Sequence, residues 1–156
     1  VVDALGNSLK YERNEYGQIS KIIDPLGFEV TTEHDVMGRV TKTTDQMGYE
    51  TSFSYDLAGR MTSLVDANLN ETKFEYGQYG LLSKQTDPLG NFQLFEYNEN
   101  EKISKKVLRS GKEITYSYDL RSRLLGVGSF DDNISYEYLD NDKISNLLNE
   151  NNKIVI

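Results

Sequence analysis

The chain has 156 residues, 37% of them hydrophobic, a formal net charge of −8 and no cysteine. Disulfides, thiolate metal sites and thiol nucleophiles are thereby excluded. The 17 Lys and Arg are outnumbered by 25 Asp and Glu, which argues against a nucleic-acid surface built on clustered cations, and no apolar run approaches the roughly 20 residues of a membrane-spanning helix.

From Asp3 through Asp24, Asp45, Asp66 and Asp87 the spacing is a constant 21 residues, with Gly6, Gly27, Gly48 and Gly90 closing four of these five tetrapeptides. A fixed period of this kind marks an array of one supersecondary unit. Seven units fit, regular over 3–128 and degenerate over 129–156, and 1–156 is read as one array whose ends look cut from a longer one.

Each unit opens on Asp-x-x-Gly, as in Asp24–Gly27 (DPLG), Asp45–Gly48 (DQMG) and Asp87–Gly90 (DPLG). The Asp carboxylate accepts nearby backbone N–H groups, Pro presets φ, and Gly supplies a positive φ, so these are hairpin turns. A strand follows in which Thr51, Phe53 and Tyr55 alternate with Ser52 and Ser54. Next comes a second turn of similar chemistry, at Asp35–Gly38 and Asp56–Gly59, then a mostly basic position (Arg39, Arg60, Lys102, Arg123) and an apolar one (Ile19, Val40, Met61, Leu82, Ile103, Leu124). Helical periodicity is absent, so the spacing predicts an all-β antiparallel meander with turns at 24–27, 35–38, 45–48, 56–59 and 87–90.

Two aromatic columns run through the units. One holds Tyr11, Thr32, Phe53, Phe74, Phe95 and Tyr116; two residues on, the other holds Arg13, His34, Tyr55, Tyr76, Tyr97 and Tyr118, and both return after a one-residue deletion as Tyr136 and Tyr138. In register they form ladders across the sheet. If buried, Phe74→Ala should cost roughly 3 to 5 kcal/mol, and the exposed Glu75 about 0.5 kcal/mol or less. A sheet of about fourteen strands accumulates twist and is expected to curl into a spiralling wall. The later turns are eroded: NENE, RSGK and FDDN replace the motif, and Glu101 and Ser122 stand where the second turn needs glycine, which predicts strained or longer turns.

His34, the only histidine, sits in the tyrosine column with Glu33 and Asp35 beside it, and the carboxylates recur with the turns rather than pairing for acid–base chemistry. Asp131, Asp132, Asp140 and Asp142 lack the ligand spacing of a calcium loop. Asn70-Glu71-Thr72 and Asn133-Ile134-Ser135 are glycosylation sequons. No catalytic, cofactor or metal residue is assigned.

The segments HDVMGRVTKTTDQMG and SYDLAGRMTSLVD resemble the Rhs or YD repeat, whose motif runs Tyr-Asp-x-x-Gly-Arg-apolar-Thr and closes on Asp-Pro-x-Gly. Tyr55, Asp56, Gly59, Arg60 and Thr62 carry it, as do Asp35, Gly38, Arg39 and Thr41 and, weakened, Tyr118, Asp119 and Arg123. Unit four departs with Gly77 and Leu81. The resemblance implies a hollow β-shell that encloses a C-terminal toxin or effector domain of the same parent chain, or forms part of a teneurin-like cell-surface receptor. Secretion or display at the cell surface is expected, with structural shell as the function and no enzymatic activity of the segment. The alternative is a surface module that uses its aromatic wall to bind a glycan or receptor.

Overall fold

The computed structural model describes residues 8–130, 133–139 and 141–149. They form an all-β antiparallel meander of fourteen strands in one sheet, each strand beside its sequence neighbour. The strands are β1 (Lys10–Arg13), β2 (Ile19–Ile23), β3 (Glu29–His34), β4 (Val40–Thr44), β5 (Glu50–Tyr55), β6 (Met61–Val65), β7 (Glu71–Tyr76), β8 (Leu82–Thr86), β9 (Phe92–Tyr97), β10 (Ile103–Val107), β11 (Glu113–Tyr118), β12 (Leu124–Ser129), β13 (Asn133–Tyr138) and β14 (Ile144–Asn149). The single helical element among the described residues is a 3₁₀ turn at Gln78–Gly80. Two compact units divide the chain, Val1–Lys73 and Phe74–Ile156. The turns of FDDN and YLDND lie partly outside the described residues.

In the first unit the opening turn is held by its aspartate. Asp24 N–H donates to Phe28 O at 3.0 Å and Gly27 N–H to Asp24 O at 3.0 Å, while Asp24 Oδ1 accepts the N–H of Leu26 at 2.8 Å and of Phe28 at 2.9 Å. One carboxylate oxygen thus satisfies two donors that a tight turn leaves unpaired. The same set recurs at Asp45 and Asp66, and in the second unit at Asp87. Gly27, Gly48 and Gly90 stand at φ +88°, +83° and +86°, and Gly38 and Gly59 at +85° and +86°.

Where glycine is missing, the turn keeps its length. Glu101 N–H donates to Asn98 O at 3.0 Å and Ser122 N–H to Asp119 O at 2.9 Å, with Glu101 at φ +59° and Ser122 at +61°. Of the two outcomes expected from sequence, strain or lengthening, the chain adopts strain. A left-handed L-residue costs roughly 1 to 2 kcal/mol, part of which glycine would return through its greater freedom in the unfolded chain. Glu101→Gly is therefore expected to stabilise by about 0.5 kcal/mol. Conversely, Gly48→Ala, whose Cβ would meet nothing within 4 Å, should destabilise by about 1 kcal/mol on torsional grounds alone. Paired thermal melts of the two variants check the signs.

The hairpins closed by the second turn share an irregularity. In β3–β4, Glu33 faces Lys42 but His34 faces Val40, so Thr41 is skipped. Ser20 is skipped in β1–β2 and Thr62 in β5–β6; in the second unit the skipped residues are Ser104, Leu125 and Ser145. Such a bulge breaks the ladder locally and twists the strand. The pairings β2–β3, β4–β5 and β6–β7 run without a shift.

The sheet has two unlike faces. Phe53 and Tyr55 on β5, and Ile114, Tyr116 and Tyr118 on β11, are half-buried, whereas Ser54, Glu113, Thr115 and Ser117 are exposed. The polar face carries cross-strand ion pairs: Lys21–Glu29 at 2.9 Å and Lys42–Glu50 in the first unit, Lys84–Glu75 at 2.9 Å and Lys105–Glu113 at 2.8 Å in the second. No described residue is fully buried. Phe74 is half-buried, which corrects the large penalty expected for its loss; Phe74→Ala falls to about 2 kcal/mol, because the transfer term scales with the area removed from water.

Candidate functional site

The residues singled out by the repeat converge on the seams between units. At the second turn, Asp35 Oδ1 accepts the N–H of Met37 and Arg39 at 2.9 and 3.0 Å, and its Oδ2 accepts Arg39 Nε at 2.7 Å. Asp56 and Asp119 do the same for Arg60 and Arg123. The arginine also reaches forward by one unit. Arg39 Nη1 donates to Asp56 O at 3.0 Å, and its guanidinium lies 4.7 Å from the centroid of the Tyr55 ring. In the second unit Arg123 stacks on Tyr138 at 4.6 Å and reaches Asp142 Oδ1 at 2.7 Å. Planar, always charged and fork-shaped, arginine serves carboxylate, carbonyl and ring together, which lysine does not.

The tyrosines reach the other way. Tyr55 hydroxyl donates to Val40 O at 2.7 Å, Tyr97 to Leu82 O at 2.9 Å, Tyr118 to Ile103 O at 2.9 Å and Tyr138 to Leu124 O at 2.8 Å. Each acceptor belongs to the apolar column and precedes a column that holds Thr or Ser in three of these four units (Thr41, Ser83, Ser104) and Leu125 in the fourth. The hydroxyl therefore supplies a donor where the ladder is interrupted. Burial pushes the Tyr97 and Tyr118 phenols above their ordinary value.

One unit inverts the pattern. His34 replaces the tyrosine and Thr32 the phenylalanine, and Thr32 Oγ1 now donates to Ile19 O. His34 Nδ1 is buried without a hydrogen-bond partner. Gln18, in the arginine column, accepts from Asn14 Nδ2 at 2.6 Å, a neutral version of the Asp–Arg pair.

The sequence-singled aromatics thus fall into two sets. Tyr55, Tyr97 and Tyr118 are tied to carbonyls of the preceding unit; Phe53 and Phe95 pack on the same face, Phe53 opposite Leu64 and Phe95 opposite Lys106, whose Nζ lies 5.3 Å from the ring centroid. Tyr76 and Tyr116 are half-buried on this face. Asp24, Asp45 and Asp87 stay in their own turns, and Asp87 also meets Arg109 at 3.5 Å. Sequence reasoning passed over the Thr/Ser column and the carbonyls of the apolar column as parts of the seam. The Thr41–Thr62 recurrence was the one signal that could have found them. Among the described residues no group of three His, Asp or Glu gathers as a metal site.

The seam aspartates give the fold an acid-sensitive component. The Arg39 side chain holds Asp35 below the ordinary 3.8, and backbone N–H bonds from Arg60 and Arg123 lead the lowering at Asp56 and Asp119. A depressed folded value means that the stabilisation is present above the unfolded value and lost as pH falls through the folded one. Urea midpoints should be flat from about pH 7 to 5 and drop below about pH 4. The triple variant Asp35→Asn, Asp56→Asn, Asp119→Asn should show a shallower acid drop. Asn preserves the turn, since Asn98 Oδ1 accepts from Asn100 and Lys102 N–H in the same way. Equal acid slopes in the two proteins would remove these carboxylates from the account.

A family model described as Teneurin YD-shell matches residues 1–156. Among solved structures, the Photorhabdus luminescens Tc holotoxin pore is similar at a TM-score of 0.65 and 15% identity, over 77% of this chain and 7% of that one. The crystal structure of TcdB2-TccC3-Cdc42 is similar over 96% of this chain and 13% of that one, at 13% identity and a TM-score of 0.46. The chain therefore spans a small part of the solved chains it resembles, and the likeness to the first bears on the fold. No curated protein matches.

Proposed function

The chain belongs to the Teneurin YD-shell family, and from that premise we propose that its 156 residues are one array of shell wall, curling with further repeats around a toxin or effector domain of the same parent chain. The observation that carries this reading is the direction of the side chains at the seams. Arg39 and Arg123 grip the following unit and Tyr55, Tyr97 and Tyr118 the preceding one. The repeat columns, Asp24 and Gly27 to Asp119 and Arg123, are in this reading structural, and a role shared by successive units is geometric before it is catalytic. The family and the toxin-complex setting of the similar structures support a secreted or cell-surface protein.

Limited proteolysis of the parent chain tests it. The enclosed domain should survive protease that digests the same domain expressed alone, and deleting two units of the array should restore its digestion while leaving its own activity intact. Equal digestion with and without the units would defeat the enclosure, and turnover of a substrate by the isolated array, abolished by changing one acidic residue, would make it an enzyme instead.

A further inference from the structure

Hairpin tips are solvated and usually built from small or polar residues, yet every described tip of the first unit carries an exposed large apolar side chain. On the rim formed by the first turns, Leu26, Met47 and Leu69 leave 81%, 71% and 84% of their surface to solvent. On the rim formed by the second turns, Tyr16 and Met37 leave 77% each and Leu57 is fully exposed. A single exposed apolar residue needs no explanation; two rows that recur with the period mark a contact surface.

Leu69 shows that the apolar residue is kept even where it strains the chain. In the turns at 24–27 and 45–48 it is the third residue and glycine the fourth; in the turn at 66–69 the third is Asn68, and leucine takes the fourth place at φ +64°. Its N–H still closes the turn, donating to Asp66 O at 2.9 Å, but in a left-handed conformation that costs an L-residue free energy. So exposed a leucine gains little from its own unit to offset that strain. At the second turns the apolar residue likewise shifts between the third place (Tyr16, Met37) and the second (Leu57), and no tip is without one.

The rims themselves select the partner. Neighbouring strands lie about 4.8 Å apart and each rim carries one tip per two strands, so tips recur about every 10 Å on both rims, offset by one strand. Each rim is toothed at the pitch of the other, so the tips of one fit the gaps of the other. The charges differ. Across 24–28, 45–49 and 66–70 stand three carboxylates, Asp24, Asp45 and Asp66, and no Lys or Arg; among the described residues they bond only N–H groups of their own turns. The second-turn rim pairs Asp35 with Arg39 and Asp56 with Arg60 and adds Arg13 and Glu15, which leaves it neutral but rich in arginine. Two first-turn rims face to face oppose like charges, whereas a first-turn rim against a second-turn rim sets carboxylates beside arginines. Such a contact between unlike surfaces is head-to-tail and can be repeated from one stretch to the next. We propose that the second-turn rim docks on the first-turn rim of another stretch of the same repeat: a second copy of the chain in solution and, resting on the shell reading above, the adjoining coil of the wall in the parent protein.

Sedimentation of the 156-residue chain should show concentration-dependent association, with the dissociation constant raised about tenfold or more by the double variant Met37→Ser, Leu57→Ser. Ser54→Ala, at an exposed position within β5, should associate as the parent does. The chain has no cysteine, so each rim can be marked singly: Met47→Cys and Leu57→Cys chains, mixed in equal amounts and oxidised, should yield the mixed disulfide about fivefold over either homodimer. The proposal is overturned if the chain is a monomer at every concentration, or if the homodimers are as abundant as the mixed species. It is equally overturned if the double variant associates as the parent does, which would assign the contact to open strand edges instead. Should the double variant fail to fold by circular dichroism, the disulfide pattern decides. Enclosure is judged apart, by the protease experiment above: rims that pair while the cargo is digested keep this proposal and defeat that one.

Discussion

Tyr97→Ala should destabilise the chain by about 3 kcal/mol, the low end of the range for a large aromatic, and Tyr97→Phe by about 1 kcal/mol. The ring is half-buried on the aromatic face, so truncation loses less packing than it would in a closed core. Its hydroxyl donates to Leu82 O at 2.9 Å. That carbonyl belongs to a strand of the sheet, and removing the donor costs it a part-buried hydrogen-bond partner. The phenylalanine variant isolates this contribution, since it keeps the ring. Tyr16→Ala, at a turn tip with 77% of its surface exposed, should stay within about 0.5 kcal/mol. Equilibrium urea melts decide the order: if Tyr97→Phe equals the parent, the backward hydrogen bond contributes nothing and the seam is held by packing alone.

Restoring the irregular unit should stabilise it, but only when both positions change. Thr32→Phe alone removes the donor to Ile19 O and is expected to cost about 1 kcal/mol net of the area it gains. The double replacement Thr32→Phe, His34→Tyr supplies a hydroxyl at the column that serves Val40, Leu82 and Ile103 in other units, and eliminates the orphaned His34 Nδ1. We expect a gain of about 2 kcal/mol for the pair and a coupling of 1 to 2 kcal/mol, roughly the range for residues sharing one partner. Additive effects in the four-protein cycle would show that the two residues do not share the Ile19 carbonyl.

The period, the turns and the two faces were legible because each is written in local chemistry. Asp24 and Gly27 specify a turn without help from distant residues, and the alternation of Phe53 and Tyr55 with Ser52 and Ser54 specifies a face. The seam was less legible. Nothing in a linear spacing says that the Tyr55 hydroxyl meets Val40, beside the bulge at Thr41, while Tyr55 faces Met61 across its own hairpin. Nor does Arg39 announce that it serves two turns. Burial was overestimated for a related reason: a strand pattern tells which side is apolar, but what covers that side is outside the pattern. The eroded turns went the other way, since Asn98 and Asp119 preserve the hydrogen-bond set even where Glu101 and Ser122 have replaced glycine.

The opposed reach of the two side chains has a consequence for how such a chain is made. Tyr97 finds its acceptor 15 residues behind it, in a hairpin that has already left the ribosome, so each new unit docks on a finished template and waits for nothing downstream. Arg39, by contrast, has its last acceptor 17 residues ahead and remains incompletely engaged until the next unit arrives. Synthesis from the N-terminus would thus run as a zipper with a single open end, where the most recent arginine is the tooth not yet closed and premature release leaves one unlatched unit rather than an unravelled sheet.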